Sequence, residues 1–378
     1  MALINYLTQI HFAYGALDIL VDECARLNIR RPLIVTDPGV RQAGLVDRLL
    51  AVMKEPALSI FDQTPANPTE RAIRAAAAQF AAEKCDGIIA LGGGSSIDLG
   101  KGVSIVATHP GPLRTFALIE QGMNKITSAV SPLIAIPTTA GTGSEVGRGA
   151  VIILDDGRKV GLISPHVMPK SAICDPELTL GLPPKLTAGS GMDAIAHCME
   201  TFLSPAFNPP ADGIALDGLR RGWAFIERAT FSPNDRDARL NMMSASLQGA
   251  LAFQKGLGCV HSLSHSLGGI DPRLHHGTLN AIFLPAVVEF NMTAASVGSE
   301  RCLPRMAEVM KISDPAKVPD SIREMNLKIG LPAGLAELGV ARESFQQIID
   351  RALLDHCHKT NPRLASAEDY RKMLEASL

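Results

Sequence analysis

Residues 87–102 read GIIALGGGSSIDLGKG, and this stretch decides the predicted fold of the first half of the chain. A short apolar run ends at three consecutive glycines, and a helical pattern begins near Ile97. Glycines at this point let the backbone approach a diphosphate, while the free N–H groups and the positive dipole end of a helix favour an anion. A glycine-rich turn that serves only packing is the alternative. The G-x-G-x-x-G fingerprint would need glycine at position 97, so the classical dinucleotide motif is not supported.

The same alternation of strand and helix extends on both sides of the glycine loop. Strands are predicted at RPLIVTD (31–37), LSIFDQT (58–64) and PLIAIPTT (132–139), with helical patterns between them. Alternation at this spacing is typical of βαβ units in a parallel, doubly wound, Rossmann-like sheet. GAVIILDDGRKVGL (149–162) predicts a hairpin around its DDG turn. Residues 1–183 are therefore predicted to form an α/β dinucleotide-binding domain.

The pattern changes near residue 184, after the paired prolines in ELTLGLPPKL. Apolar residues now recur at helical spacing, and strand-like alternation disappears. Residues 184–378 are predicted to form an all-α metal-binding and substrate domain. The active site is expected in the cleft between the two domains.

Composition excludes several classes of function. The 378 residues are 46% hydrophobic and 20% charged, with a formal net charge of -2, so a soluble globular protein is expected. No segment concentrates Lys and Arg, which argues against a nucleic-acid partner. No stretch approaches a membrane span or a secretory signal, and the seven cysteines form no CxxC pair. The sequence therefore predicts a cytoplasmic protein with reduced thiols.

The second half contains a candidate metal site. Asp193 and His197 are four residues apart in GMDAIAHCME, so they share one face of a helix. His261 and His265 repeat this spacing, and the pair His275-His276 follows. Three imidazoles and a carboxylate suit a borderline divalent ion such as Fe²⁺ or Zn²⁺, with room for a substrate oxygen. Spacing does not separate the two metals.

Three further positions have two interpretations each. Asp37, at a strand end, either accepts hydrogen bonds from a ribose or belongs to a simple turn in TDPG. PTTAGTGSE (137–145) either covers a nicotinamide ribose or is a surface turn. Glu200 either fixes the imidazole of a metal ligand or is a solvated glutamate at a helix end.

Together, these motifs resemble the iron-containing, or group III, alcohol dehydrogenases. GGGSSID, PTTAGTGSE, GMDAIAHCMET, VHSLSH, HHG and the closing TNP occur in the family's order along essentially the whole chain. The resemblance implies NAD on the α/β domain, a metal on the helical domain and hydride transfer from an alcohol. It is strongest to members acting on 4-hydroxybutyrate, which implies interconversion with succinate semialdehyde. A simple primary alcohol or diol, of the lactaldehyde or propanediol type, is the alternative.

The resemblance also implies roles for individual residues. The metal ligands fall on Asp193, His197, His261 and His276, with His275 as the alternative to His276. The non-ligand histidine near the substrate falls on His265. The expected cofactor contacts are Asp37, Asn67, Gly93, Gly94, Ser95, Asp98, Thr138, Thr139, Thr142, Ser144 and Lys159.

A carboxylate on the substrate would need a cation. Arg148, His358 and Lys359 are the candidates, each of which could equally be a surface cation. A lyase of the dehydroquinate synthase kind, which uses NAD and a metal, is the rival from another class, although the basic cluster for a substrate phosphate is not found. The family also implies at least a homodimer, in which an edge strand near the N-terminus pairs between subunits.

Overall fold

The structure is a computed structural model that describes residues 8–54 and 58–378. It divides into two compact units. The first, here the α/β unit, spans Tyr6–Thr139 and Gly143–Gly181. The second, here the helical unit, contains Leu182–Leu378 together with Ala140–Thr142 from the loop after a strand.

The α/β unit is built on a parallel sheet with strand order β1-β8-β5-β4-β2-β3 among the described residues. From β2 the chain passes to β3 on one side and then crosses to β4 on the other, so the order reverses between β2 and β4. Ligands of doubly wound sheets bind at the carboxyl ends of the strands at such a switch point. The strands are β1 (Gln9–Phe12), β2 (Pro32–Val35), β3 (Ser59–Phe61), β4 (Gly87–Gly92), β5 (Leu133–Pro137) and β8 (Ser171–Cys174).

The predicted strands and hairpin of the α/β unit are confirmed. Strands β2, β4 and β5 are buried along their whole length, which is why they read as continuous apolar runs. The hairpin pairs β6 (Gly149–Ile153) with β7 (Lys159–Ile163) in antiparallel register. The sequence did not predict β1 and β8, which are four residues long and pair with each other.

Helices cover the sheet of the α/β unit. Thr69 caps the start of α4, where its side chain accepts a hydrogen bond from the Ala72 amide. The helix after the glycine loop begins at Gly94, where Gly93 takes the capping position without a side-chain cap. The amides at this end therefore have no side-chain oxygen from the capping residue. The helices are α1 (Leu20–Arg26), α2 (Pro38–Gln42), α3 (Leu45–Met53), α4 (Glu70–Ala82) and α5 (Gly94–Val106).

The helical unit packs around one long central helix, α6, whose residues from Thr187 to Leu203 are all buried. A helix that is buried all round needs neighbours on every side, and α7, α8 and α10 supply them. None of the helices among the described residues has the length and apolar character that crossing a membrane requires. The helices are α6 (Pro184–Leu203), α7 (Pro209–Phe231), α8 (Arg236–Leu251), α9 (Cys259–Ile270), α10 (His276–Asn291), α11 (Ala295–Ser299), α12 (Cys302–Met310), α13 (Val318–Lys328), α14 (Phe345–Ala352) and α15 (Ala367–Ala376).

Two local features position α10. A Cβ atom on Gly277 would lie 2.2 Å from the carbonyl oxygen of Gly189, so only glycine lets α10 approach α6 this closely. Pro285 lies inside α10 and lacks the N–H that would bond to Ala281. The side-chain amide of Asn326 donates to the freed Ala281 carbonyl at 2.7 Å, so the helix continues past the proline.

Candidate metal centre and cofactor loops

Three helices bring a carboxylate and three imidazoles to one point in the helical unit. The Oδ1 atom of Asp193 lies 3.6 Å from Nε2 of His197, 3.9 Å from Nε2 of His261 and 3.7 Å from Nε2 of His276. Helix α6 supplies the first two residues one turn apart, α9 supplies His261 and the first residue of α10 supplies His276. Ligands at about 2.1 Å from a tetrahedral ion lie about 3.4 Å from each other. The observed separations are close to this value.

His275 and His276 have different surroundings. The Nδ1 atom of His275 accepts a hydrogen bond from the Thr278 amide at 3.3 Å and caps the start of α10. The next residue, His276, directs its Nε2 towards Asp193 and is a quarter exposed, whereas the other imidazoles of the cluster are buried. The geometry therefore favours His276 over His275 as the fourth ligand.

Two of the imidazoles meet an oxygen atom through Nδ1. Nδ1 of His261 lies 2.5 Å from Oε2 of Glu200, and Nδ1 of His197 lies 3.2 Å from the Gly141 carbonyl oxygen. A neutral imidazole whose Nδ1–H donates to an oxygen keeps an unprotonated Nε2, which is the form that binds a metal. The cluster is thus prepared for a cation by its outer contacts.

The charge of Asp193 leads to the same conclusion. Its side chain is 2% exposed, and in residues 8–54 and 58–378 its ion-pair partners are histidines rather than Lys or Arg. A buried carboxylate is costly without a compensating charge. A divalent cation supplies that charge, so the residues present fit a metal ion.

Glu200 is buried and contacts a ligand. Its Oε1 accepts from the Val260 amide at 2.8 Å, while Oε2 faces His261. Burial raises the pKa of Glu200 to about 7, although the hydrogen bond from Val260 opposes this shift. Of the two interpretations of Glu200, the structure supports the partner of an imidazole and excludes the solvated helix end.

Asn280 and Asp355 are two residues that the sequence analysis missed. The fully buried Asn280 donates from Nδ2 to Oδ1 of Asp193 at 2.6 Å, and the same nitrogen lies 3.2 Å from Nε2 of both His261 and His276. Nδ1 of His265 lies 3.1 Å from Oδ2 of Asp355. Asn280 was visible in the HGTLNA motif, but nothing in its spacing distinguished it from a packing residue.

In the α/β unit, Asp37 and the glycine loop lie at the two carboxyl ends that flank the switch point. Asp37 follows β2, and its Oδ1 accepts from the Val40 amide while its Oδ2 accepts from the Ser96 hydroxyl at 3.1 Å. Gly92 ends β4 with φ of 153°, and a Cβ there would lie 2.5 Å from Ser96 Oγ. Gly93 and Gly94 begin α5 beside it. The structure therefore brings Asp37 and the loop together.

Five other expected cofactor residues also lie along this edge. Ser95 donates to the Ala66 carbonyl at 2.5 Å, and Lys159 donates to Oδ1 of the neighbouring Asn67 at 2.9 Å. The Thr138 amide bonds to the Gly92 carbonyl, which ties the end of β5 to the end of β4. Thr139 is the next residue, and its side chain lies 3.4 Å from the position that a Cβ atom on Gly93 would take.

Asp98 and Ser144 belong to a buried network that includes Lys101. The Ser144 hydroxyl lies 2.5 Å from Oδ1 of Asp98, and the Val151 amide donates to Oδ2 of the same carboxylate. Lys101 is fully buried and donates to Ser144 Oγ and to the carbonyls of Gly147 and Gly149 at 2.7–3.0 Å. This network fixes the loop after β5 to α5. No pattern in the sequence indicated that Lys101 is buried.

The remaining predicted residues are more scattered. Thr142 groups with the helical unit rather than with the other cofactor residues. Arg148 is an exposed residue of the α/β unit, just before β6. Nδ1 of His358 lies 2.9 Å from the Tyr370 hydroxyl, and Lys359 is exposed.

Known proteins resemble this chain along its whole length. A family profile described as iron-containing alcohol dehydrogenase matches residues 8–176, and the C-terminal profile of the Fe-containing alcohol dehydrogenase family matches residues 187–378. The 4-hydroxybutyrate dehydrogenase of Cupriavidus necator is 60% identical over all of both chains. The NAD-dependent methanol dehydrogenase of Bacillus methanolicus is 32% identical over 96% of each chain. A crystal structure of 1,3-propanediol oxidoreductase superimposes with a TM-score of 0.92 at 33% identity, covering all of both chains.

The chain belongs to the iron-containing alcohol dehydrogenase family. This confirms the resemblance read from the motifs, and with it the predicted fold class of an α/β region with a parallel sheet followed by a helix-rich region. It also favours an alcohol dehydrogenase over the lyase of the dehydroquinate synthase kind.

Proposed function

We propose that the protein is a metal-dependent, NAD-linked alcohol dehydrogenase that interconverts 4-hydroxybutyrate and succinate semialdehyde. The observation that carries the proposal is the convergence of Asp193 and three imidazole Nε2 atoms on one point in the helical unit. The substrate rests on the 60% identity to the Cupriavidus necator 4-hydroxybutyrate dehydrogenase over all of both chains.

Asp193, His197, His261 and His276 are the proposed ligands of one divalent ion. Family membership favours Fe²⁺, and Zn²⁺ is the alternative, since this donor set suits both. When bound, the ion supplies Lewis-acid chemistry that lowers the pKa of a substrate hydroxyl. The protein's part is to hold the three Nε2 atoms within 4 Å of Asp193 Oδ1 and to direct Nδ1 of His261 and of His197 towards oxygen acceptors.

NAD is the proposed hydride acceptor, and the edge around the switch point is its proposed binding site. The proposed contacts are Asp37, Asn67, Gly93, Gly94, Ser95, Asp98, Thr138, Thr139, Thr142, Ser144 and Lys159. The amides at the start of α5 suit a diphosphate. Asp37 already accepts two hydrogen bonds, but a carboxylate has about four acceptor sites, which leaves two for ribose hydroxyls. Its charge would repel the extra phosphate of NADP.

His265 is the proposed group that takes the hydroxyl proton of the substrate. Its ring is stacked on His276 at 5.4 Å between centroids, so it lies beside a proposed ligand without being one. Asp355 accepts from its Nδ1 and fixes the ring orientation. Burial alone would raise the pKa of Asp355, but the charge and hydrogen bond of His265 outweigh it and hold that pKa below its usual range. Asp355 therefore remains an acceptor for His265.

A neutral primary alcohol or diol is the second candidate substrate, favoured by the similarity to 1,3-propanediol oxidoreductase. Replacing Arg148 tests which of the two substrate classes is used, because Arg148 is a cation that follows the cofactor loop in the sequence. If Arg148 binds a substrate carboxylate, Arg148→Ala should impair oxidation of 4-hydroxybutyrate far more than that of 1,4-butanediol.

The proposed function is tested by following NADH absorbance with metal-loaded protein. The panel contains 4-hydroxybutyrate, 1,4-butanediol, 1,3-propanediol, 1,2-propanediol and ethanol, each with NAD⁺ or NADP⁺, and His261→Ala is the blank. We expect metal-dependent NADH formation that prefers 4-hydroxybutyrate over 1,4-butanediol. Activity on neutral alcohols alone would reject the hydroxy acid, and no NADH with any alcohol would reject the dehydrogenase.

We further propose that the protein works in the cytoplasm as a homo-oligomer. Its seven cysteines are all free thiols, which suits a reducing compartment. In the described sheet, β1 and β3 are edge strands, and an edge can pair with a second copy. Light scattering after size exclusion should give a mass at least twice the 40.1 kDa of one chain.

A further inference from the structure

A column of three stacked imidazoles runs through the helical unit, and its outermost member has no role in the function proposed above. His276 stacks on His265 at 5.4 Å with rings 11° apart, and His265 stacks on His356 at 5.9 Å with rings 19° apart. His276 is a proposed metal ligand. The centroids of His276 and His356 are therefore at most about 11 Å apart, since the two steps measure 5.4 and 5.9 Å.

The turn that carries His356 is held firmly against the helix that carries His261 and His265. Oδ1 of Asp355 accepts from the Cys357 amide at 2.8 Å and caps the 3₁₀ turn His356–Thr360. Thr360 donates to the Leu257 carbonyl at 2.6 Å, and Oδ1 of Asn361 accepts from the Cys259 amide at 3.1 Å. Both partners lie at the start of α9. The position of His356 relative to the metal ligands is thus set by the backbone.

This turn carries three side chains that can be positively charged, and their surroundings differ. Nδ1 of His358 faces the buried Tyr370 hydroxyl, and Lys359 is exposed with no place in the column. His356 lies beside His265 and is 32% exposed, so one part of its ring is accessible. Nδ1 of His356 lies 3.7 Å from Oδ2 of Asp355, and its Nε2 faces the Sγ atom of Cys357, at 3.4 Å. A thiol is a weak partner that a carboxylate readily replaces.

We propose that His356 is the residue that recognises the carboxylate of an ω-hydroxy acid. The inference rests on the proposed function, because it assumes that the hydroxyl end of the substrate lies at the metal centre. It assigns the carboxylate to a residue other than Arg148, His358 and Lys359. Burial lowers the pKa of His356, and the nearby Asp355 carboxylate, 3.7 Å from Nδ1, opposes this shift. A bound substrate carboxylate would add a second negative charge that favours the protonated, doubly donating form of the imidazole.

The length of a four-carbon hydroxy acid suits this assignment. At about 1.2 Å per bond, the five bonds from hydroxyl oxygen to carboxylate oxygen span about 6 Å when extended. A metal–oxygen bond of about 2 Å at one end and a charge-assisted hydrogen bond of about 2.8 Å at the other extend the reach to about 11 Å. This reach is similar to the separation of the His276 and His356 rings, which is at most about 11 Å.

The inference is tested by His356→Val in the full-length, metal-loaded protein, with Lys359→Ala as the matched control. The measured quantity is the ratio of kcat/KM for 4-hydroxybutyrate to kcat/KM for 1-butanol. We expect His356→Val to lower this ratio by about 10- to 100-fold, the effect of losing one hydrogen bond to a charged group, with 1-butanol oxidation changed less than about twofold. Lys359→Ala removes a charge from the same turn and should leave the ratio within about twofold.

Calorimetric titration of 4-hydroxybutyrate into the metal-loaded protein without NAD gives a second readout that needs no turnover. The Kd should rise by a similar factor in His356→Val and stay constant in Lys359→Ala. If the wild-type ratio is high and survives in His356→Val, the inference is overturned while the proposed function stands. If the wild-type ratio is near one, the hydroxy-acid substrate and the inference fail together.

Metal content tests whether the same residues form a second metal site instead. His265, Asp355, His356 and Cys357 offer donor atoms within 4.8 Å of each other, which is close enough for a second ion. We expect one divalent ion per chain in both the wild type and His356→Val. A second ion that is lost in His356→Val would overturn the inference, because the turn would then be a metal site.

Discussion

Lys101 in the α/β unit and Asp193 in the helical unit are both buried charges, and the protein compensates them differently. Lys101 donates to a hydroxyl and two carbonyls and lies 3.7 Å from Asp98, so its own chain satisfies it. Asp193 is surrounded by imidazoles and the Asn280 amide. A buried charge that the chain satisfies serves the structure, whereas one that lacks an opposite charge indicates a ligand from outside.

Removing a metal ligand of the helical unit should have the largest effect on activity. His197→Ala should lower metal-dependent NADH formation by at least about 1,000-fold, because Lewis-acid stabilisation contributes several kcal/mol to the transition state. Metal content and NADH absorbance measure the effect.

His275→Ala is the matched control for that experiment, since it removes the imidazole next to His276. It should keep the metal and cost only about 1 kcal/mol of unfolding free energy through the lost helix cap. Loss of metal in His275→Ala together with its retention in His276→Ala would reverse the assignment of the fourth ligand.

Removing the charge of Lys101 should affect stability and leave metal binding unchanged. Lys101→Met should lower the free energy of unfolding by about 3 kcal/mol, because it removes the positive charge beside Asp98 and the donor to the carbonyls of Gly147 and Gly149. Metal content should not change, since Lys101 belongs to the α/β unit. Urea unfolding measures the first effect and elemental analysis the second. An unfolding free energy within 0.5 kcal/mol of wild type, roughly the scatter of neutral surface substitutions, would show that the network is not structural.

The smallest effect is expected from replacing Glu200, which faces Nδ1 of His261. Glu200→Gln keeps an acceptor for the Val260 amide but replaces the carboxylate that faces Nδ1. Metal affinity should fall by about 10- to 100-fold, as for other carboxylate partners of ligating histidines. Competition with a chelator gives the dissociation constants. Equal affinity in the variant and the wild type would mean that Glu200 only fills space.

Much of the α/β unit was predictable because burial on both faces makes its strands continuous apolar runs. Strands β2 and β4 and the glycine turn after β4 follow from residues 32–35 and 87–94 alone. Strands β1 and β8 were not predictable, since each has four residues and is recognisable only through its pairing with the other. The grouping of Ala140–Thr142 with the helical unit also depends on contacts distant in sequence.

The candidate metal site was predictable where its residues are one helical turn apart, as Asp193 and His197 are. Chain periodicity says nothing about residues that meet from different elements. Asn280, Asp355 and His356 reach the site through the packing of α10 and of the turn after α14 against α9. The burial of Lys101 was hidden for the same reason, because a lysine in a helical pattern normally indicates a solvated face.

The central claim is that the buried Asp193 requires a divalent cation. The most direct measurement is the thermal unfolding midpoint of metal-free protein with and without Zn²⁺ or anaerobic Fe²⁺, in the wild type and in Asp193→Asn. An ion at about 100 times its Kd should stabilise the wild type by about 2.7 kcal/mol, and so raise its midpoint by several degrees, with one ion bound per chain. Asp193→Asn should show no such rise. An unchanged wild-type midpoint, or an equal rise in both proteins, would contradict the account.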